Sequence, residues 1–404
     1  MTDPAALAGW LTQAGLAGMS EAQLLDGFCQ RLVAGGLPLS RALAMVDTLH
    51  PIYEGRAFRW ELQQAGITAE TEYGRTGGTD QVSEQWRRSP FYHLYETGGS
   101  RLRCSLVGTD LTDFPVLQEL RDGGHTDYLA LIHRFDADDV VGGMECVYSS
   151  WTSDAPGGFD EPQVTLLEQL VPVLALALKC RSLARIAATL VETYLGRDAG
   201  RRVLGGRIAR GVAERISAVL WFSDLRGYTR ISDRAPPDSI IPLLNDYADA
   251  IISSVHEAGG DVLKLIGDGI LAIFHADEAA TACGCALTAE ALARERVAAL
   301  NERRAATGLD VTEAYLGLHI GEVFYGNIGS EDRLDFTVVG PAVNEVSRIA
   351  AMCRAVDRDV LLSSAFAAAA TEADRARLVS VGRYALRGVG KPQELYTLDL
   401  HASA

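Results

Sequence analysis

The sequence predicts an α+β protein: a mixed α/β domain, a helical linker, then a ferredoxin-like domain. Three observations lead there. The chain has 404 residues, 48% apolar and 22% charged, which is room for two or three cores of ordinary globular composition. Its first part reads as a helix, several antiparallel-looking strands and a long exit helix. Its last part reads as β-α-β-β-α-β with additions, the split βαβ order. The boundaries expected are 1–180, 181–212 and 213–404.

The elements follow from periodicity and punctuation. In "EAQLLDGFCQRLVAG" (21–35) Leu24, Leu25, Phe28, Leu32 and Val33 recur at helical spacing, and Gly35-Gly36 closes the helix. Strand-like runs come at 41–49, 55–63, 101–107, 127–134 and 141–151, with "TGGTDQ" (76–81) as a loop that carries no phosphate-loop lysine. A long helix starts near Asp160. Its residues Leu176, Leu183, Ile186, Leu190 and Tyr194 suit either a dimer seam or packing on their own domain. Gly196 and "GRDAGRRVLGG" then read as a polar, glycine-rich linker. Beyond it come a buried strand at 215–223 and a helix striped by Ile240, Leu244, Tyr247, Ile251 and Val255. A hairpin follows, "DVLKLI" and "ILAIF" joined by Gly267-Asp268-Gly269, then a helix over 277–304. "AYLGLHIGEVFYGNIG" is expected to form two strands, "PAVNEVSRIAAMCRA" a helix, and 359–399 strands with short helices. The first part is similar in pattern to GAF- and PAS-type sensory modules, and "GFDEPQVTLLEQLVPVLALAL" resembles a closing GAF helix. That resemblance implies an unidentified small-molecule or protein signal at the N-terminal domain.

Bulk properties exclude several classes. A net charge of −16 argues against nucleic acid as a general partner, because phosphate repels an acidic surface. Seven cysteines without a CxxC pair, and no secretory leader, imply a reducing, cytoplasmic setting. The most apolar run, 164–180, is interrupted by Glu168, Gln169 and Pro172, so no membrane span is expected. His50, His93, His125 and His133 lack metal-ligand spacing, and Cys283 and Cys285 read as core. With 34 arginines against only Lys179, Lys264 and Lys391, the genome is of a GC-rich bacterial type. Each lysine kept is then a position that arginine does not serve.

Chemistry enters at "AVLWFSDLRGYTRISD" (218–233), where a core-bound strand ends on Asp224 and a glycine follows three residues later. Alone, Asp224 reads as well as a helix cap. Asp268, in the hairpin between the next two strands, changes that: a ferredoxin-like sheet brings the two carboxylates to one edge. Paired aspartates are the protein half of a Mg²⁺ site. Gly227, with Tyr228 and Thr229 after it, leaves backbone N–H groups open to a triphosphate.

Four motifs then occur in order: "FSDLRGYT" (222–229), "GGDVLKLIGDGILAIF" (259–274), "GLHIGEVFYGNIGSEDRLDFTVVGPAVNEVSRI" (317–349) and "LRGVGKPQELYTL" (386–398). Together they resemble the class III nucleotidyl cyclase catalytic domain, the family of adenylate and guanylate cyclases. The resemblance implies that Asp224 and Asp268, with the Leu225 carbonyl, bind two Mg²⁺ or Mn²⁺ ions per site. It implies that Asn344 and Arg348, one face of a helix, approach the ribose and α-phosphate, and that Arg387 stands where many members have a phosphate-binding lysine. It matches Lys264 and Thr337 to the two base-reading positions. An ammonium only donates, so it suits adenine N1 and mismatches guanine N1–H, which favours ATP. Glu345 and Val346 depart from the small residues common beside Asn344. The family further implies a homodimer with two composite sites, the metal aspartates from one chain and the remaining groups from the other. Alternatives kept open are a cyclase for a pyrimidine nucleotide or GTP, and a catalytically silent cyclase-homology module.

Overall fold

The computed structural model describes residues 3–64, 66–76, 81–108, 114–135, 141–142, 144–387 and 392–399, and it divides into two compact units, 1–190 and 191–404. The tip of the expected 76–81 loop and residues 388–391 of the last motif lie outside the described residues.

The first unit contains α1 (Pro4–Leu16), α2 (Glu21–Ala34), β1 (Arg41–Asp47), β2 (Gly55–Glu61), β3 (Gly66–Tyr73), α3 (Gln81–Arg87), α4 (Pro90–Thr97), β4 (Arg101–Ser105), α5 (Pro115–Asp122), β5 (Asp127–Arg134), β6 (Cys146–Ser153) and most of α6 (Glu161–Leu195). Its strands form an antiparallel sheet in the order β3-β2-β1-β6-β5-β4. The inner strands β5 and β6 are buried on both faces. Alternate side chains explain this: Leu129, Leu131, Val147 and Trp151 join the core under α1, α2 and α6, while Tyr128, Ala130, Ile132 and Tyr148 join the one under α3, α4 and α5. The strand expected at 141–151 forms five residues later, because Gly142 takes φ +65° and the Met144 N–H closes a turn on the Val141 carbonyl. On α6, Ile186 is buried in this unit's core with Leu183 and Leu190 beside it, whereas Leu176 and Tyr194 are exposed. The middle of that stripe therefore packs on its own unit.

The second unit contains α7 (Arg197–Leu204), β7 (Ala213–Leu225), α8 (Tyr228–Ser232), α9 (Pro237–Glu257), β8 (Asp261–Ile266), β9 (Gly269–His275), α10 (Ala279–Ala306), β10 (Ala314–Gly329), β11 (Leu334–Val339), α11 (Pro341–Val356), β12 (Val360–Ser363), α12 (Ser364–Ala369), α13 (Glu372–Ala376), β13 (Leu378–Tyr384) and β14 (Gln393–Leu398). The sheet order is β13-β14-β12-β10-β7-β9-β8, with β11 on β10. β7 is central, as the ferredoxin-like reading requires. Val219 and Trp221 face the core under α9, α10 and α12, and Ala218 and Leu220 face the one under α7 and α11. Burying Val219 and Leu220 contributes about 1.5–3 kcal/mol each.

Two expectations are corrected here. β10 is one sixteen-residue strand rather than two, paired with β7 from Ala314↔Leu225 to Gly326↔Ala213. Its glycines mark close approach rather than breaks: a Cβ on Gly317 would stand 2.7 Å from the Val346 carbonyl oxygen and the Ala350 nitrogen of α11. The polar linker beyond Gly196 contains a helix, α7, because Ala199 enters the core with Leu195 and Val203 beside it. Arg202 meanwhile pairs with Asp198 at 2.6 Å and Glu214 at 2.7 Å.

Candidate active site

The β8–β9 hairpin turns through Gly267-Asp268, and β9 pairs with β7 up to Ser223↔Ile270. That register sets the hairpin tip beside the end of β7. Asp224 consequently lies within hydrogen-bond reach of Asp268, and the Leu225 N–H donates to Asp268 Oδ2 at 3.2 Å. Partial burial raises Asp224 to about 6; the neighbouring Asp268 carboxyl adds to the shift and the Leu225 backbone N–H opposes it. Two oxygen donors this crowded, one holding a proton until near neutrality, fit a hard divalent cation such as Mg²⁺ or Mn²⁺, which would displace that proton. Gly227 adopts φ +70°, the left-handed region that lets the chain turn from β7 into α8 without a Cβ in the way. Tyr228 packs at the edge of the core and Thr229 is exposed.

The base-reading candidates lie further along the same hairpin. Lys264, halfway along β8, forms an ion pair with Asp335 of β11. Thr337 is two residues beyond Asp335 and so on the same face of that strand, and it is buried. Asp335 was not singled out by sequence reasoning. Its signal was the period of two within "LDFTVV", which sets it on the face of Thr337.

Asn344 and Arg348 stand on α11, whose Ala342, Val346, Ile349 and Cys353 are buried against the sheet. At 100° per residue both project from the side opposite Val346, with Asn344 exposed. They point away from the sheet of their own chain. Arg387 is exposed in the turn after buried Leu386. The structure thus brings Asp224, Leu225 and Asp268 together and sets Lys264 beside the strand of Thr337, while Asn344 and Arg348 form a separate outward-facing pair.

A second group, Asp198, Asp261 and His275, has ligand atoms within 4.8 Å of one another, but Asp198 is already paired with Arg202. No helix among the described residues is long and apolar enough to cross a membrane.

The family model for the adenylate and guanylate cyclase catalytic domain matches residues 212–400. This segment belongs to that family, the class III nucleotidyl cyclases. An adenylate cyclase of Anabaena cylindrica is 36% identical over 157 residues, covering 38% of this chain and 30% of that protein. Adenylate cyclase 1 of Rhizobium meliloti is 30% identical over 191 residues, covering 46% of this chain and 28% of that protein. Among solved structures, the adenylyl cyclase CyaB from P. aeruginosa is similar over 46% of this chain and 96% of that one, at 23% identity and a TM-score of 0.42. The matches span less than a third of the length of those two curated relatives. The cyclase motifs all fall in the second unit.

Proposed function

We propose that the protein is an adenylate cyclase, converting ATP to 3′,5′-cyclic AMP and pyrophosphate under control of its N-terminal unit. The observation that carries the reading is the meeting of the Asp224 and Asp268 carboxyls at the end of β7. In the reaction the ribose 3′-hydroxyl gives up its proton to water, its oxygen bonds to the α-phosphorus, and the bond to the bridging oxygen breaks, releasing pyrophosphate. Asp224 and Asp268 would hold two Mg²⁺ or Mn²⁺ ions, which supply positive charge to the 3′-oxygen and the departing phosphates. The open backbone at Gly227, Tyr228 and Thr229 receives the triphosphate. Arg348 and Arg387 oppose the charge that develops on the transferring phosphoryl group, and Asn344 orients the ribose. Lys264 donates to adenine N1, with Thr337 as its neighbour in base reading and Asp335 holding the ammonium in position.

The outward aim of Asn344 and Arg348 supports a composite site. These residues serve the aspartates of a second copy, so a homodimer carries two sites. The N-terminal unit acts as the sensory module, and α6 is the covalent route out of it.

The test incubates purified full-length protein with ATP, GTP, CTP and UTP in Mg²⁺ or Mn²⁺ and identifies products by mass spectrometry. Cyclic AMP as the dominant product is expected. A cyclic pyrimidine nucleotide or cyclic GTP instead would reassign the substrate, and no cyclic product from a folded dimer would overturn the enzyme reading.

A further inference from the structure

The N-terminal unit has a cleft of about 230 Å³, partly open to solvent where Tyr95 and Glu145 are exposed, whose lining combines three carboxylates with four aromatic rings. Asp47 comes from the end of β1, Glu54 from the loop before β2, and Glu145 from the residue before β6. No lysine, arginine or histidine is among its described lining residues. Each carboxylate has one oxygen engaged: Tyr73 donates to Asp47 Oδ1 at 2.6 Å, Tyr95 to Glu145 Oε2 at 2.9 Å, and the Thr76 N–H to Glu54. The second oxygen of each has no donor among the described residues. Burial pushes Asp47 up to about 7, with the charges of Glu54 and Glu145 adding to the shift against the Tyr73 hydrogen bond. The carboxyls of this pocket thus have no lysine, arginine or histidine partner among its described lining residues.

Its walls narrow the class of counter-charge. Trp86 and Tyr148 meet edge to face at 83° with centroids 5.3 Å apart, a right-angled corner of the lining to which Tyr95 adds a third ring. Aromatic corners attract cations through the ring quadrupole and favour organic ammonium groups. A single metal ion fits poorly. Among the described residues, the only His, Cys, Asp and Glu groups of three or more that converge within 4.8 Å are those of Asp198, Asp261 and His275, in the other unit. Anions are repelled by three carboxylates. The volume lies below the roughly 300 Å³ at which sites for drug-sized ligands begin, so the ligand has few heavy atoms.

We propose that the N-terminal unit binds a small organic cation, a primary amine or a methylated ammonium, in this cleft. The ammonium group sits in the corner of Trp86 and Tyr148 and is neutralised by Asp47, Glu54 and Glu145. This does not depend on the cyclase reading.

The test is calorimetric titration of the full-length protein with choline, with putrescine, and with uncharged 3,3-dimethyl-1-butanol, an isostere of choline. One or both cations are expected to bind once per chain. The alcohol should bind at least about tenfold more weakly, the loss of one ammonium interaction of about 1.4 kcal/mol. Choline binding above putrescine identifies the methylated class, and the reverse identifies the primary amine. Glu145→Gln, at an exposed position, and Trp86→Leu should each weaken binding by about tenfold or more while circular dichroism stays native. Asp224→Asn should bind as the wild type does, which separates this result from the fate of the cyclase reading. Absence of binding by both cations, equal binding of the alcohol, or wild-type affinity in both cleft variants would overturn the proposal.

Discussion

Asp224 concentrates the chemistry at the scale of single residues. On the proposed mechanism, Asp224→Asn should lower turnover at least about a thousandfold, since one of the two carboxylates assigned to the metal ions is lost, while leaving the dimer intact on gel filtration. Its titration has a second consequence. The folded pKa, about 6, lies above the ordinary carboxylate value of 3.8. Between those values the folded state holds a proton that the unfolded state has released, so metal-free stability falls as pH rises through that window. Thermal melts of the wild type in chelator should show this loss, Asp224→Asn should flatten it, and Mg²⁺ should oppose it above pH 6. A wild-type melt that rises steadily from pH 4 to 6, with no difference in the variant, would contradict the assignment. At the base-reading pair, Lys264→Glu combined with a Thr337 substitution should reduce the preference for ATP over GTP. Asp335→Asn should raise KM for ATP more than it lowers kcat, because Asp335 acts by positioning the Lys264 ammonium. The motif carried Asp224, Asp268 and Lys264 in plain view. Asp335 was hidden: the period of two in "LDFTVV" sets its face, but not that β11 comes near enough to β8 for it to meet Lys264.

At the scale of elements, glycines and helix faces decide what periodicity left open. β10 contains Gly317, Gly321 and Gly326, which punctuate a sequence as turns do, and so it read as two strands. The structure keeps it whole because α11 crosses so closely at Gly317. Gly317→Ala should therefore cost about 1–3 kcal/mol by overpacking and move α11, measurable as a lower denaturation midpoint together with weakened turnover. An unchanged midpoint would mean that α11 shifts freely. α7 was missed for a related reason: polar, glycine-rich composition suggested a linker, while Ala199 supplies the small apolar contact that docks the helix. On α6 the stripe could serve a seam or its own core, and the choice belonged to packing. Ile186→Ala should cost the N-terminal unit about 2–4 kcal/mol, whereas Leu176→Ala at an exposed position should cost under about 0.5 kcal/mol.

At the scale of the whole molecule, the outward direction of Asn344 and Arg348 leads to a test that needs two chains. Asp224→Asn and Arg348→Ala proteins should each be inactive alone. Mixed in equal amounts and allowed to exchange, they should recover about a quarter of wild-type activity, since half of the dimers are mixed and each mixed dimer keeps one intact site. No recovery after demonstrated subunit exchange would show that one chain supplies both groups to its own site. The sequence alone determined the cyclase motifs, the acidic balance, the β-α-β-β-α-β order of the second unit and the limits of long helices such as α2, α10 and α11, because these reside in neighbouring residues and their periodicity; it did not show α1, α3, α4 or α5. Sheet register decided the rest: that Asp268 reaches Asp224, that Lys264 meets Asp335, and that Asn344 and Arg348 face outward. It also gathered three carboxylates and four rings around one cleft in the first unit. Such meetings join residues tens of positions apart, and only the pairing of strands and the packing of helices on them sets which side chains share a space.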